Sequence, residues 1–101
     1  MGVTARTDAD KSQIVIAIDG RFDFSQHKAF REAYKDADAR ESRFIVDLSE
    51  ASYLDSSALG MLLLLREFVG SDRERVRIRG ASDDVARVLK IANFDKLFTV
   101  G

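Results

Sequence analysis

The sequence predicts an α/β fold, a mixed and mostly parallel sheet of about five strands with three helices. Three observations carry this. Apolar runs of strand length alternate with helical stripes in the order strand-strand-helix-strand-helix-strand-helix-strand. Only the first two strands are close enough for a hairpin, so the later ones need crossovers, which run right-handed. The chain has 101 residues, 46% hydrophobic and 33% charged, which suits one core and one domain over residues 1–101.

Each element has a local reason. Val3 to Thr7 and Gln13 to Asp19 flank the polar turn Asp8-Ala9-Asp10-Lys11 and read as a hairpin. In the second strand Ile14, Ile16 and Ile18 share one face while Val15 and Ala17 share the other, so burial on both sides and a central place are expected. After Gly20 and a short loop, Asp23 or Ser25 can cap a first helix whose apolar stripe is Ala29, Phe30, Ala33, Tyr34 and Ala37. Phe44 to Leu48 forms the next strand, Ser49 to Leu54 a loop, and Ser56 to Val69 a second helix ended by Gly70. That helix is apolar nearly all round, so it is expected in the middle of the fold or against a partner. Arg75 to Arg79 alternates like a half-exposed strand. Ser82, Asp83 and Asp84 then open a third helix with a core stripe of Val85, Val88, Leu89 and Ala92. Asn93 can cap its end, and Leu97 to Val100 supplies a last short strand.

Composition narrows the function. With 16 basic against 17 acidic residues and a formal charge of −1, there is no broad attraction to nucleic acid or to an anionic membrane. Protein partners, a monomer and no cofactor are the expectation. Cysteine is absent, which excludes disulfides, thiolate metal sites and cysteine nucleophiles. The first residues are too polar for a signal peptide and no apolar run approaches bilayer length, so the cytoplasm is expected.

The most informative segment is Tyr53-Leu54-Asp55-Ser56-Ser57-Ala58-Leu59-Gly60. Asp55 is a natural N-cap whose carboxylate can accept from the amide of Ser57 or Ala58 and complements the helix dipole. Ser56 then lies in the first turn with its hydroxyl near solvent. On helix physics alone, Asp55, Ser56 and Ser57 can be read as capping residues and nothing more. Gly60, however, sits inside a leucine-rich helix, where it costs about 1 kcal/mol relative to alanine, so a neighbour is expected to approach closely there.

The stretch Phe44 to Glu67, FIVDLSEASYLDSSALGMLLLLRE, resembles the signature of the STAS family, specifically its anti-sigma factor antagonists. In that family a strand ending in Asp-Leu-Ser is followed by a short loop, Asp-Ser-Ser or Asp-Ser-Thr, a small residue, and a glycine-containing apolar helix. Here these are Asp47-Leu48-Ser49, Asp55-Ser56-Ser57, Ala58 and Gly60. Gly20-Arg21-Phe22-Asp23 is similar to the family's Gly-x-x-Asp loop, and the resemblance covers nearly the whole chain. It implies a single STAS-type domain without catalysis of its own. It also implies phosphorylation at Ser56 by a serine kinase that serves as the anti-sigma factor, reversed by a PP2C-type phosphatase. Asp23, Asp55, Ser56, Ser57 and Gly60 would form the partner-binding switch, engaged when unphosphorylated and released by phosphorylation. Ala58 stands where many members have glycine, and the sequence stops just after the last strand, so the family's C-terminal helix is expected to be short or absent. The segments Gly20 to Tyr34 and Ser52 to Glu67 look most like stand-alone antagonists in circuits that govern motility and surface growth.

Other constellations carry less. His27 has no second histidine or cysteine for a zinc site, nor the partners of a triad, and reads as a helix-surface residue. Asp19, Asp23, Asp47 and Asp55 could gather near strand ends, the basis of an alternative reading as a small Mg-dependent phosphohydrolase. No glycine-rich phosphate loop with a following lysine is present to hold a nucleotide. Arg73, Arg75, Arg77 and Arg79 could meet a phosphate or an acidic partner, but beside Asp72 and Glu74 a solvated face is the favoured reading. A further alternative within the same fold is a STAS accessory subunit of a membrane transport complex.

Overall fold

The computed structural model describes residues 2–8 and 12–101. Strand β1 (Gly2–Asp8) pairs antiparallel with β2 (Gln13–Phe22), from Gly2 against Asp19 to Asp8 against Gln13. This is the expected hairpin; residues 9–11 of its turn lie outside the described residues. Strands β3 (Arg43–Leu54), β4 (Val76–Arg79) and β5 (Thr99–Val100) then add in parallel, giving the spatial order β1-β2-β3-β4-β5. Helices α1 (His27–Glu32), α2 (Ser56–Phe68) and α3 (Asp83–Ile91) occupy the three crossovers.

Strands laid down side by side in one direction, with crossovers of one hand, put all three helices on the same face of the sheet. Burial agrees. Ile14, Ile16, Ile18, Phe44, Val46, Leu48, Val76 and Ile78 are buried on the helix side. They join Phe30, Leu62, Leu65, Val85 and Leu89 of the helices in one core. Each such side chain contributes about 1.5–3 kcal/mol on leaving water. Edge-to-face rings tie α1 to the sheet and to α2: Phe30 to Tyr34, and Tyr34 to both Phe44 and Phe68.

Among the described residues no helix covers the opposite face. Val15 is nevertheless buried there, while Ala17, Ile45 and Asp47 are half-buried and Arg6 and Arg77 are exposed. The expectation that β2 is buried on both sides therefore holds for Val15 without a second layer of helices. β2 lies inside the sheet, with β3 at its middle.

Several boundaries differ from the sequence reading. β2 does not stop at Asp19 but continues through Gly20, whose φ of +84° accompanies register shifts between Ala17 and Asp19 and between Gly20 and Arg21. The expected loop Ser49 to Leu54 is instead the second half of β3, paired with Asp19 to Phe22. α1 is only six residues long and continues as turns through Asp36, so Ala33 and Tyr34 pack from beyond its end. α2 is not wrapped all round, because Leu63 (38% exposed) and Leu64 (49%) face outward. Arg73–Arg75 is a 3₁₀ turn before β4, and Asn93, in the left-handed conformation at φ 61°, follows α3 where a C-terminal cap was expected. Among the described residues no helix follows β5.

Candidate functional site

The site is built where two parallel strands end together. Phe22 and Leu54 are the last register partners of β2 and β3, and both are buried. Asp23 and Asp55 are therefore the first residues beyond the same edge of the sheet, and each caps the helical segment after it. The Ala58 amide donates to Asp55 Oδ1 at 3.1 Å, with Asp55 in an extended conformation ahead of α2. The Ser25 amide donates to Asp23 Oδ1 at 3.0 Å at the head of the 3₁₀ turn Phe24–Gln26, and the Ser25 hydroxyl donates to the same oxygen. These bonds to Ser25, the hydroxyl's foremost, hold the Asp23 carboxyl below its ordinary value, with Arg21 3.4 Å away adding to the effect.

With the cap formed, Ser56 opens the first turn of α2 and is exposed, while Ser57 is half-buried and Ala58 fully buried. Gly60 is exposed one turn on, and Leu63 and Leu64 follow at the spacing of a single outward stripe. The five residues singled out thus fall into two groups. Asp23, Asp55, Ser56 and Ser57 cluster at the strand ends, and Gly60 lies along the exposed side of α2.

The close approach expected at Gly60 is not made by any described residue: a Cβ built there would meet nothing within 4 Å beyond its chain neighbours and its own helix backbone. The backbone freedom the glycine costs is not repaid by packing against any described residue. Two exposed features at the same end were not read from the sequence. Arg21 stacks on its register partner Tyr53, its guanidinium carbon 4.0 Å from the ring centroid. Phe24, 69% exposed, stacks on His27, with ring centroids 5.4 Å apart. An aromatic placed in an otherwise polar loop was the available signal for Phe24.

The aspartates do not converge on a metal site. Among the described residues no group of three His, Asp or Glu side chains is placed to hold a cation. Asp47 instead lies midway along β3, where the Ser49 amide donates to it at 2.9 Å and Arg79 approaches to 3.5 Å. The Ser49 bond, with help from Arg79, holds its carboxyl below the ordinary value against the opposing effect of partial burial. The arginines also disperse. Arg73 donates to the Asp95 carbonyl and Arg75 to the carbonyls of Ser42 and Val69, while Arg79 faces Asp47. His27 is a half-buried residue at the head of α1.

A five-stranded mixed sheet with its helices on one face, and a capped Asp-Ser-Ser at the start of the second helix, define a class of small domain. The chain belongs to the STAS domain family: residues 5–99 match the family described as Mlab, STAS domain. It is 45% identical over 100 residues to a STAS-domain containing protein of Pseudomonas aeruginosa (strain UCBPP-PA14), covering 99% of each chain. The fold is shared with SpoIIAA, an anti-sigma factor antagonist, in its unphosphorylated form, at a TM-score of 0.68 and 17% identity over 89% of this chain and 83% of that one. The phosphorylated form of SpoIIAA, from Bacillus, has a TM-score of 0.70 and 15% identity, covering 99% and 91%. A sulfate transporter family protein from Wolinella succinogenes shares the fold too, at a TM-score of 0.71 and 16% identity over 84% and 70% of the chains. No helix among the described residues is long and apolar enough to cross a membrane.

Proposed function

We propose that this chain is an anti-sigma factor antagonist in a partner-switching pathway, with Ser56 as its switch. Unmodified, it binds a cognate anti-sigma factor that is also a serine kinase; phosphorylation of Ser56 ends the binding, and a PP2C-type phosphatase restores it. The observation that carries this reading is the exposure of Ser56 in the first turn of α2, set there by the Asp55 cap. Its hydroxyl is open to a kinase, whereas Ser57 is partly covered. The exposed Phe24, Leu63 and Leu64 add apolar surface beside the switch, of the kind protein interfaces bury. The chain acts by binding, not by catalysis, in the cytoplasm.

Co-purification from the native host, followed by mass spectrometry of the retained protein, tests the reading. A kinase partner and a phosphate on Ser56 are expected; a phosphate on Ser57 alone would move the switch by one residue, and a partner that is part of a membrane transporter would replace the pathway. That last outcome belongs to a second reading, an accessory subunit of a transport complex, which the shared fold of the Wolinella sulfate transporter family protein favours.

A further inference from the structure

We propose that the hollow between α1 and α2 is a small-ligand site, and that its ligand is a monocarboxylic acid with an apolar tail of medium length, held by the Tyr34 hydroxyl and the Arg31 guanidinium. The hollow is open to the surface, has a volume of about 340 Å³, and is lined by Arg31, Tyr34, Lys35, Leu64, Glu67 and Phe68. A narrower pocket shares Arg31, Tyr34 and Leu64 with it and continues it toward His27, Phe30 and Met61. This size is at the small end of ligand pockets, which run from about 300 to 1,000 Å³, and suits one short chain or one ring.

Tyr34 points to a ligand. It is 7% exposed, and its ring is fixed edge-to-face against Phe30, Phe44 and Phe68. Its hydroxyl makes no hydrogen bond with any described residue, yet it is not sealed in the core, so it opens into the hollow. A hydroxyl so placed has lost water on most sides and gains from an acceptor brought in from outside. Burial pushes it above its ordinary value of 10.0, with Arg31 acting the other way, so at neutral pH the phenol keeps its proton and donates it.

The charges around the hollow select the head group. Arg31 has no carboxylate within ion-pair distance among the described residues. Lys35 is answered on its own side by Glu32 at 3.0 Å and further by Asp36. An incoming carboxylate therefore meets two donors, the Arg31 fork and the Tyr34 hydroxyl, and both bonds are charge-assisted. Glu67, on the α2 wall, forms no ion pair with Arg31 or Lys35 among the described residues. It repels a second anion, so the other end of the ligand must be uncharged. That end can lie on Leu64, 49% exposed, and Phe68, or enter the narrower pocket beside Phe30 and Met61. Leu64 to Phe68 are eight to twelve residues after Ser56, about 12–18 Å along the helix, and the site does not depend on the Ser56 reading.

The test titrates the full chain with octanoate, octylammonium and suberate, read by NMR shifts and calorimetry. Octanoate is expected to bind with a Kd on the order of 1 mM or tighter, moving the amides of Arg31 to Lys35 and Leu64 to Phe68. Octylammonium and suberate should bind at least about tenfold more weakly. Arg31→Gln, at an exposed position, and Tyr34→Phe, which keeps the ring, should each lower octanoate affinity by about tenfold, and Glu67→Gln should let suberate bind about as octanoate does. Melting curves establish that folded proteins are compared, and Leu64→Glu, which sets an anion beside the tail, stands in for Tyr34→Phe if that variant melts early. No octanoate binding up to about 10 mM, equal binding of octylammonium, or variants that bind octanoate unchanged would overturn the proposal. Tighter binding of an acetylated and amidated Glu-Leu-Leu tripeptide would assign the hollow to a protein partner instead, and shifts confined to other residues would place the ligand outside it.

Discussion

Asp23 and Asp55 each stand one residue past a register pair, Phe22 with Leu54, and each accepts an amide from the segment it starts. The sheet therefore fixes both caps at once, and the heading of α2 depends on Asp55. Replacing Asp55 with alanine orphans the Ala58 amide, at a cost of about 1 kcal/mol. For a domain of this size that is a drop of roughly 4–8 °C in Tm, read by thermal melting. Asp55→Asn keeps an acceptor in place and should recover most of the loss. An alanine variant that melts like the wild type would show that α2 is held by its core contacts alone.

Much of this arrangement was legible in the sequence because period and cap reinforce each other there. Ile14, Ile16 and Ile18 alternate, and Ser82 with Asp83 and Asp84 announces α3, whose cap the Val85 amide completes at 3.3 Å. The second half of β3 was not legible. Ser49, Glu50 and Ser52 are polar, and what makes them strand is pairing with Asp19 to Phe22 through a bulged register that no local pattern encodes. Gly20 misled for the same reason: a positive φ inside a bulged strand looks, in sequence, like the strand's end. The Asp-Ser-Ser motif stood out, but the empty space over Gly60 belongs to tertiary structure and had no sequence signal.

Two glycines should respond oppositely to alanine. At Gly60 a Cβ enters open space in a helix interior, so Gly60→Ala should raise stability by about 0.5–1 kcal/mol. Gly80 has φ +76°, and its Cβ would come to 2.9 Å from Ser49 Cβ and 3.2 Å from Asp47 Oδ1, so Gly80→Ala should lower it. Melting of the two variants side by side is the check. A destabilised Gly60→Ala would mean that the α2 backbone itself needs the glycine. A stabilised variant that no longer captures the partner would instead assign the space over Gly60 to the interface.

The acid limb of stability should depend on Asp47. Its folded carboxyl titrates below the ordinary 3.8, chiefly through the Ser49 amide bond, so the ionised form favours folding. The contribution is complete above the unfolded value and is lost as pH falls through the lower, folded one. Asp47→Asn removes this titration. The variant should be less stable than the wild type at neutral pH, and the gap should close as the pH drops below the folded value. Denaturant melts across that range read it out, and a gap that persists in strong acid would place the effect in packing, not charge.

Phosphorylation of Ser56 should spare the fold and abolish the partner, for reasons of where the charge falls. Ser56 is the first residue of α2, so its phosphate would lie at the positive end of a 13-residue helix. It adds about −1.5 to −2 charges at neutral pH. The dipole favours an anion there by about 0.3–1 kcal/mol. Asp55, next along the chain and held in place by the Ala58 amide, repels it by an amount on the order of 1 kcal/mol at surface dielectric. The two effects nearly cancel against a domain stability of about 5–15 kcal/mol, and no buried group is disturbed because the Ser56 side is exposed. An interface closed over the same turn must strip water from the phosphate, at several kcal/mol, and each 1.4 kcal/mol is about tenfold in affinity. Ser56→Ala, which removes an exposed hydroxyl and adds no charge, should bind the partner as the unmodified protein does and resist release by ATP. Melting curves and partner affinities of the unmodified, phosphorylated and alanine forms separate the cases. A phosphoprotein that has lost its helical signal would show a switch that works by unfolding, and a folded alanine variant that fails to bind would make the Ser56 hydroxyl itself a contact.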